Sequence, residues 1–280
     1  MPNVELHRAI TAAGIETRGD DAIGPDFGKL RPAWAQGTIS DYDSRFLAGL
    51  VNFANPHTLV EIGVASGWSS AVMLKALGTL SGDRKVVGID LSPTYYLDSS
   101  IPTGHAVQET VPDLTSNYRL LTGKLAFDVM PEVGKVDFAF IDGHHMHPWA
   151  TLDMLSVLPF IERGRWIAMH DVNLCTFERH KHTNRAPFYL FYMWPDQKLH
   201  STQQPTMIGA VIVERPPANY LPTLLEILYT PWEIDVDPAD LSRLAALIGQ
   251  HFGDPWSAKF SDAFDHCSEQ FRKCQEGSRK

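Results

Sequence analysis

Thr58-Leu59-Val60-Glu61-Ile62-Gly63-Val64-Ala65-Ser66-Gly67-Trp68-Ser69-Ser70 is the stretch from which the fold of this chain can be read. Thr58 to Ile62 is a short apolar run of β-branched and aliphatic residues, the pattern of a buried strand. Gly63 and Gly67 bracket a tight loop. Ser69 and Ser70 open a second apolar stretch, Ala71 to Leu77, long enough for a helix. Strand, glycine loop and helix N-terminus form an anion site, because glycine lets backbone approach a ligand and the first N–H groups of a helix are free. The spacing Glu-x-Gly-x-x-x-Gly-x-Ser is neither the Gly-x-Gly-x-x-Gly of dinucleotide enzymes nor a P-loop with its Lys-Ser/Thr.

Working outward, Val86-Val87-Gly88-Ile89-Asp90 reads as the next strand and ends in a carboxylate able to accept ribose hydroxyls. Strand candidates recur at Tyr118–Leu121, Val136–Ile141 and Trp166–Met169, with helical stretches between them. Pro148 to Leu158 has the pattern of an amphipathic helix whose Leu152, Met154, Leu155 and Leu158 pack on the sheet. This alternation predicts an α/β fold with a mostly parallel sheet and helices on both faces. Lys198–Ser201 and Met207–Glu214 read as two last strands separated by Gln203-Gln204-Pro205.

Upstream, Ser40 caps a helix that begins with Asp41 and Asp43 and carries Phe46, Leu47, Leu50, Val51 and Phe53 on one face. Asn55-Pro56 stops it. Val4 to Ala13 reads as a short helix, and Gly14 to Pro32 as a loop or lid, because its glycines and prolines follow no period. Pro216-Pro217 closes the core. Tyr220–Tyr229 and Pro238–Phe252 read as C-terminal helices, and Arg272–Lys280 as a polar frayed tail. The organisation expected is an N-terminal cap over residues 1–39, a core over 40–215 and a helical extension over 216–280. Phe188, Phe191 and Tyr192 share a helical face that favours core packing over a substrate wall.

Composition narrows the function. The 280 residues are 44% apolar, enough for one large domain with appendages. With 24 basic and 33 acidic residues the formal charge is −9, so no nucleic-acid partner is expected. Three cysteines without a Cys-x-x-Cys pair suit a reducing compartment. Met1 to Ile10 lacks the apolar segment of a signal peptide, and no run approaches the ~20 apolar residues of a membrane span. A cytoplasmic protein with no membrane partner is the expectation. A homo-oligomer is compatible with the sequence, which leaves that state open.

These motifs resemble those of the class I S-adenosylmethionine-dependent methyltransferases, and within them the small-molecule O-methyltransferases of the catechol, macrocin and rhamnosyl types. The resemblance spans roughly residues 40–215 and implies a Rossmann-like sheet of seven strands in the order 3-2-1-4-5-7-6, the last two forming an antiparallel hairpin at one edge. It implies S-adenosylmethionine as cofactor, with Gly63, Val64, Ala65, Ser66 and Gly67 passing beneath its methionine part. Ser69 matches the serine that binds the cofactor carboxylate, and Glu61 the acid that orders the loop or meets the cofactor amine. Asp90 would take the ribose. Lys124, in Leu120-Leu121-Thr122-Gly123-Lys124-Leu125, stands near the adenine where the family has a small polar or acidic residue.

Asp137-Phe138-Ala139-Phe140-Ile141-Asp142-Gly143-His144-His145 resembles the family's Ile-Asp-Gly-x-His signature. By that resemblance Asp142, which also contacts the cofactor, and Asp171 hold a divalent metal of the magnesium or manganese kind, and His145 is the general base for a small-molecule hydroxyl. His170 is a departure, since the family has an acid there. All-oxygen sites suit magnesium and imidazole suits manganese, iron, cobalt, nickel or zinc. Either His170 turns away, or it is a third ligand of a metal other than magnesium with a part in catalysis, or no metal binds. His144, His147, His180 and His182 gather in the same segments. A structural zinc site rivals this reading, although no spacing matches a closed site. A nicotinamide-dependent oxidoreductase and a non-catalytic binding module are the rival functions. The absent third glycine opposes the first, and the intact Gly63, Gly67, Asp90, Asp142 and His145 oppose the second.

Overall fold

The structure is a computed structural model that describes residues 10–202 and 206–277. Its helices are α1 (Ala12–Ile23), α2 (Asp41–Ala54), α3 (Trp68–Leu77), α4 (His105–Thr110), α5 (Ala126–Val133), α6 (Trp149–Val157), α7 (Ala186–Met193), α8 (Leu221–Leu228), α9 (Pro238–Phe252) and α10 (Asp254–Gly277). Its strands are β1 (Thr58–Ile62), β2 (Lys85–Asp90), β3 (Thr94–Tyr95), β4 (Asp98–Pro102), β5 (Tyr118–Thr122), β6 (Val136–Ile141), β7 (Ile161–Met169), β8 (Lys198–His200) and β9 (Gly209–Ile212).

Seven strands form one sheet in the order β5-β2-β1-β6-β7-β9-β8, the order expected. β5, β2, β1, β6 and β7 run parallel, whereas β9 is antiparallel to β7 and to β8. Successive residues of a strand point to opposite faces, and here both faces are buried. Val60, Ile62, Ala139, Ile141, Ile167 and Met169 join one core cluster. Leu59, Phe138, Phe140, Trp166 and Ala168 join the other. The separator at 203–205 lies outside the described residues.

The N-terminal segment corrects the sequence reading. Gly14 to Ile23 is helix and not loop, because α1 continues to Ile23, whereas residues 24–32 are turns around a short 3-10 segment, Phe27–Leu30. An added Cβ at Gly19 would stand 1.8 Å from the Arg45 carbonyl oxygen, and one at Gly49 would stand 1.9 Å from the Ile15 carbonyl oxygen. The glycines that interrupt the helical pattern are thus where α1 and α2 touch backbone to backbone. The helix expected at Val4–Ala13 falls mostly outside the described residues, and Ala12 and Ala13 belong to α1. Ser40 caps α2 as expected, its Oγ accepting the Asp43 N–H at 3.1 Å, and Asn55 ends the helix in a left-handed conformation.

Helix α6 is also not amphipathic: every residue from Ala150 to Val157 is buried. The C-terminal helices supply the cover, since Leu224 and Ile227 of α8 and Leu244 and Ile248 of α9 share the core of Leu152 and Leu155. The expected frayed tail is helical through Gly277, and Arg272 pairs with Asp235 at 2.8 Å. Of the three aromatic residues expected in the core, Phe191 is buried, while the rings of Phe188 and the exposed Tyr192 lie 4.5 Å apart. The three cysteines form no disulfide. Among the described residues no helix is long and apolar enough to cross a membrane.

Candidate active site

The parallel strands end on one side of the sheet, and a cavity of about 570 Å³ opens there, within the range of small-molecule sites. Of the loop between β1 and α3, Gly63 and Ala65 line it, whereas Val64 and Ser66, with Ser69 in the first turn of α3, are buried behind. Gly63 has φ +84° and an added Cβ there would fall 2.1 Å from the Asp142 carbonyl oxygen. This glycine therefore serves chain-to-chain contact: it lets the loop after β1 lie against the end of β6. Gly67, with φ +89°, faces Gly104 in the same way.

Two acids hold the loop. Asp90 Oδ2 accepts the N–H groups of Val64 and Ala65, each at 2.9 Å, and Oδ1 accepts that of Ser92 at 2.8 Å. Glu61 is fully buried and its two oxygens accept the hydroxyls of Ser69 and Ser70. Burial raises the Glu61 carboxyl to about 8 against the pull of those two hydroxyls, helped by the charges of Asp142 and Asp90. Glu61 and Ser69 thus face each other beneath the loop.

The ends of β6 and β7 bring four titratable groups together. His145 reaches both acids: Nε2 lies 3.3 Å from Asp142 Oδ1 and Nδ1 lies 3.0 Å from Asp171 Oδ2. His170 Nδ1 lies 3.0 Å from Asp142 Oδ1 and 3.6 Å from Asp171 Oδ1. Asp171 has φ +58°, a left-handed turn that an aspartate tolerates. Burial opposes charge on both rings, yet the two carboxylates prevail, raising His145 to about 10 and His170 to about 9. In turn the imidazoles outweigh burial at the acids, holding Asp142 below its ordinary value and Asp171 at about 2. Donor atoms of Asp142, His145 and His170 lie within 4.8 Å of one another, a set able to hold a metal ion. Asp171 touches both histidines but stands outside that set.

The remaining histidines separate. His144 lines the cavity and its Nδ1 accepts the Met146 N–H at 3.1 Å. His147 is a core residue: its Nε2 lies 3.0 Å from Thr230 Oγ1, and burial holds its pKa down to about 3. His182 is exposed.

Sequence reasoning missed several parts of the wall. Tyr96, in the β3–β4 hairpin, is 61% exposed and lines the cavity with Gly37. Its phenol is raised by burial of the hydroxyl and by the negative charges of Asp142 and Asp171, which sets it on the carboxylate side. On the β5 side Lys124, the residue expected near the adenine, is joined in the wall by Leu125 and Ala126 and by Trp149 and Asp153 of α6. Ile234 to Asp237, from the C-terminal segment, complete it. The one sequence signal for Asp153 was an acid within the otherwise apolar run of α6.

Residues 60–172 match the model of a methyltransferase domain. Among solved structures, the cofactor-bound protein Rv0187 from MTB is 16% identical with a TM-score of 0.50, over 76% of this chain and 97% of its own. The SAH-bound Podospora anserina methyltransferase PaMTH1 is 13% identical with a TM-score of 0.51, over 70% of this chain and 88% of its own. An O-methyltransferase from Bacillus cereus, in complex with SAH, is 18% identical with a TM-score of 0.47 over 70% and 90%. No curated protein matches the chain. Residues 60–172 therefore form a methyltransferase domain, and the sheet has the Rossmann-like fold of these structures. By that domain it is a methyltransferase.

Proposed function

We propose that the protein transfers the methyl group of S-adenosylmethionine to a hydroxyl of a small molecule, a sugar, polyketide or aromatic natural product, with a divalent cation at Asp142 and His170 and with His145 as general base. The observation that carries this reading is the His145 ring, held between Asp171 and Asp142 in the wall of a cavity that runs along Gly63 and Ala65. The cofactor fits the cradle as built. Side-chain-free backbone at Gly63 faces the cavity, and Asp90 Oδ1 keeps one acceptor position for a ribose hydroxyl after accepting the Ser92 N–H. Glu61 and Ser69 support this reading by ordering the loop.

The cation fits the donor set, and the His170 imidazole favours manganese, iron, cobalt, nickel or zinc over magnesium. When bound, such an ion supplies Lewis-acid activation of a hydroxyl oxygen. Asp171 orients His145 through Nδ1, and Nε2, which faces Asp142 at 3.3 Å, is the nitrogen that would take a proton once a cation held by Asp142 offsets the negative charge that raises His145. In this assignment Asp171 orients the base and is not a cation ligand. The sulfonium methyl is already activated, so alignment and proton removal are what these residues contribute.

Calorimetry with S-adenosylmethionine and S-adenosylhomocysteine, followed by a methyl-transfer assay over a set of phenols, sugars and polyketides, tests the reading. Binding of both ligands and methylation of a hydroxyl are expected. Absence of binding, or transfer to nitrogen or carbon instead, overturns it.

A further inference from the structure

We infer that Asp153 accepts a hydrogen bond from the exocyclic amino group of the cofactor's adenine, reached through the gap that Gly143 leaves in the wall. The inference rests on the cofactor reading above and assigns the residue that would recognise the base.

Asp153 is only 6% exposed, yet it lines the cavity and has no hydrogen-bond or charged partner among the described residues. A buried carboxylate left unpaired is costly, and native structures seldom keep one without use. Its access depends on one residue. An added Cβ at Gly143 would stand 2.8 Å from Asp153 Oδ2. Gly143 is not among the residues of positive φ, so its backbone makes no demand for glycine. What glycine provides there is room for the acid.

The position within the cavity points to the base. Asp142, His145, His170 and Asp171 occupy the ends of β6 and β7. Asp90 ends β2, and beyond it β5 leads into Leu125 and α5. Asp153 and Trp149 of α6 share that side, because α5 and α6 pack together in one core. Val236 reaches the same place, as the following helix α9 is tied to α5 by the 3.0 Å pair of Arg243 with Asp128. A ligand with its ribose at Asp90 and its sulfur toward His145 therefore has its base between apolar walls, with an acceptor at the edge. An exocyclic amine supplies the missing donor. Lys124 has no acceptor and cannot take that role.

The experiment compares S-adenosylhomocysteine with S-inosylhomocysteine, which carries a 6-oxo group in place of the amine, by calorimetry on the full chain. Wild type should prefer the adenosyl ligand by about 10- to 100-fold, the worth of a hydrogen bond to a charged group. Asp153→Ala should lose adenosyl affinity by that factor, keep inosyl affinity and so lose the preference. Asp153→Asn, able to accept from an amine or donate to a 6-oxo group, should bind both ligands comparably, and without ligand should unfold no lower in temperature than wild type. If Asp153→Ala binds the adenosyl ligand and retains the preference, the inference is overturned and the cofactor reading stands. A lower unfolding temperature for Asp153→Asn assigns the acid to the fold and overturns it too. If wild type binds neither ligand, the cofactor reading fails and this inference with it.

Discussion

Asp90 accepts the backbone N–H of Val64 at 2.9 Å, so the acid at the end of β2 holds the glycine loop in shape whether or not a ligand is present. Asp90→Ala strands three backbone N–H groups, those of Val64, Ala65 and Ser92. These donors are part-buried, and leaving each unpaired costs at most about 1–3 kcal/mol. The variant should lose stability in urea unfolding of the ligand-free protein as well as affinity for S-adenosylhomocysteine. Unchanged unfolding with lost affinity would make Asp90 a ligand residue only.

His145→Ala should lower the turnover rate by about 10²–10⁴-fold, the usual contribution of a general base, with cofactor affinity nearly unchanged. Its metal content, read by elemental analysis, should equal that of wild type. Loss of the metal would make His145 a ligand, in keeping with its place in the set with Asp142 and His170. His147→Ala is no control for this, since His147 packs in the core against Thr230 and its loss should act on stability. His182→Ala, at an exposed position, should be silent.

Chelated enzyme should regain activity with manganese, cobalt or zinc in preference to magnesium, because His170 brings an imidazole to the cation. Asp142→Ala and His170→Ala should each abolish that rescue. Full activity after exhaustive chelation would remove the cation from the mechanism.

Glu61 sets a pH dependence of stability. Its carboxyl rises from 4.5 to about 8 on folding, chiefly through burial. The folded state thus binds more protons than the unfolded chain between those values, and stability falls as pH rises through that window. The slope for one proton is at most about 1.4 kcal/mol per pH unit. Asp153, raised by burial from 3.8 to about 7, acts in the same direction over a lower window. Glu61→Gln should lessen the slope of the thermal-midpoint profile between pH 7 and 8, where Glu61 adds to the raised His145 and His170. An unaltered profile would show that Glu61 is ionised in the folded state.

Gly49→Ala should destabilise by about 1–3 kcal/mol, the range for forcing volume into a packed contact. The new methyl would meet the Ile15 carbonyl oxygen at 1.9 Å, and backbone cannot yield as a side chain can. Urea unfolding with unchanged stability would mean that α1 is free to move off α2.

Periodicity and short-range spacing determined much of this protein. The run Thr58–Ile62, the glycines at 63 and 67 and the acid at 90 specify a strand, a loop and a second strand, because those signals act within a few residues along the chain. The strand order came from the resemblance to the class I methyltransferases and not from any local pattern. Tertiary structure decided what depends on distant partners. Gly19 reads as a helix breaker until Arg45 is found against it, and α6 reads as half-exposed until α8 and α9 cover it. Six histidines gather in two segments, and their spacing alone does not separate them. Packing sends His147 to Thr230, leaves His182 in solvent and sets His145 between Asp142 and Asp171. Asp153 is the plainest case: whether an acid within an apolar helix is buried idle or faces a ligand depends on a glycine ten residues away across a loop. Side-chain convergence of that kind is set by the packing of whole elements, and no local pattern encodes it.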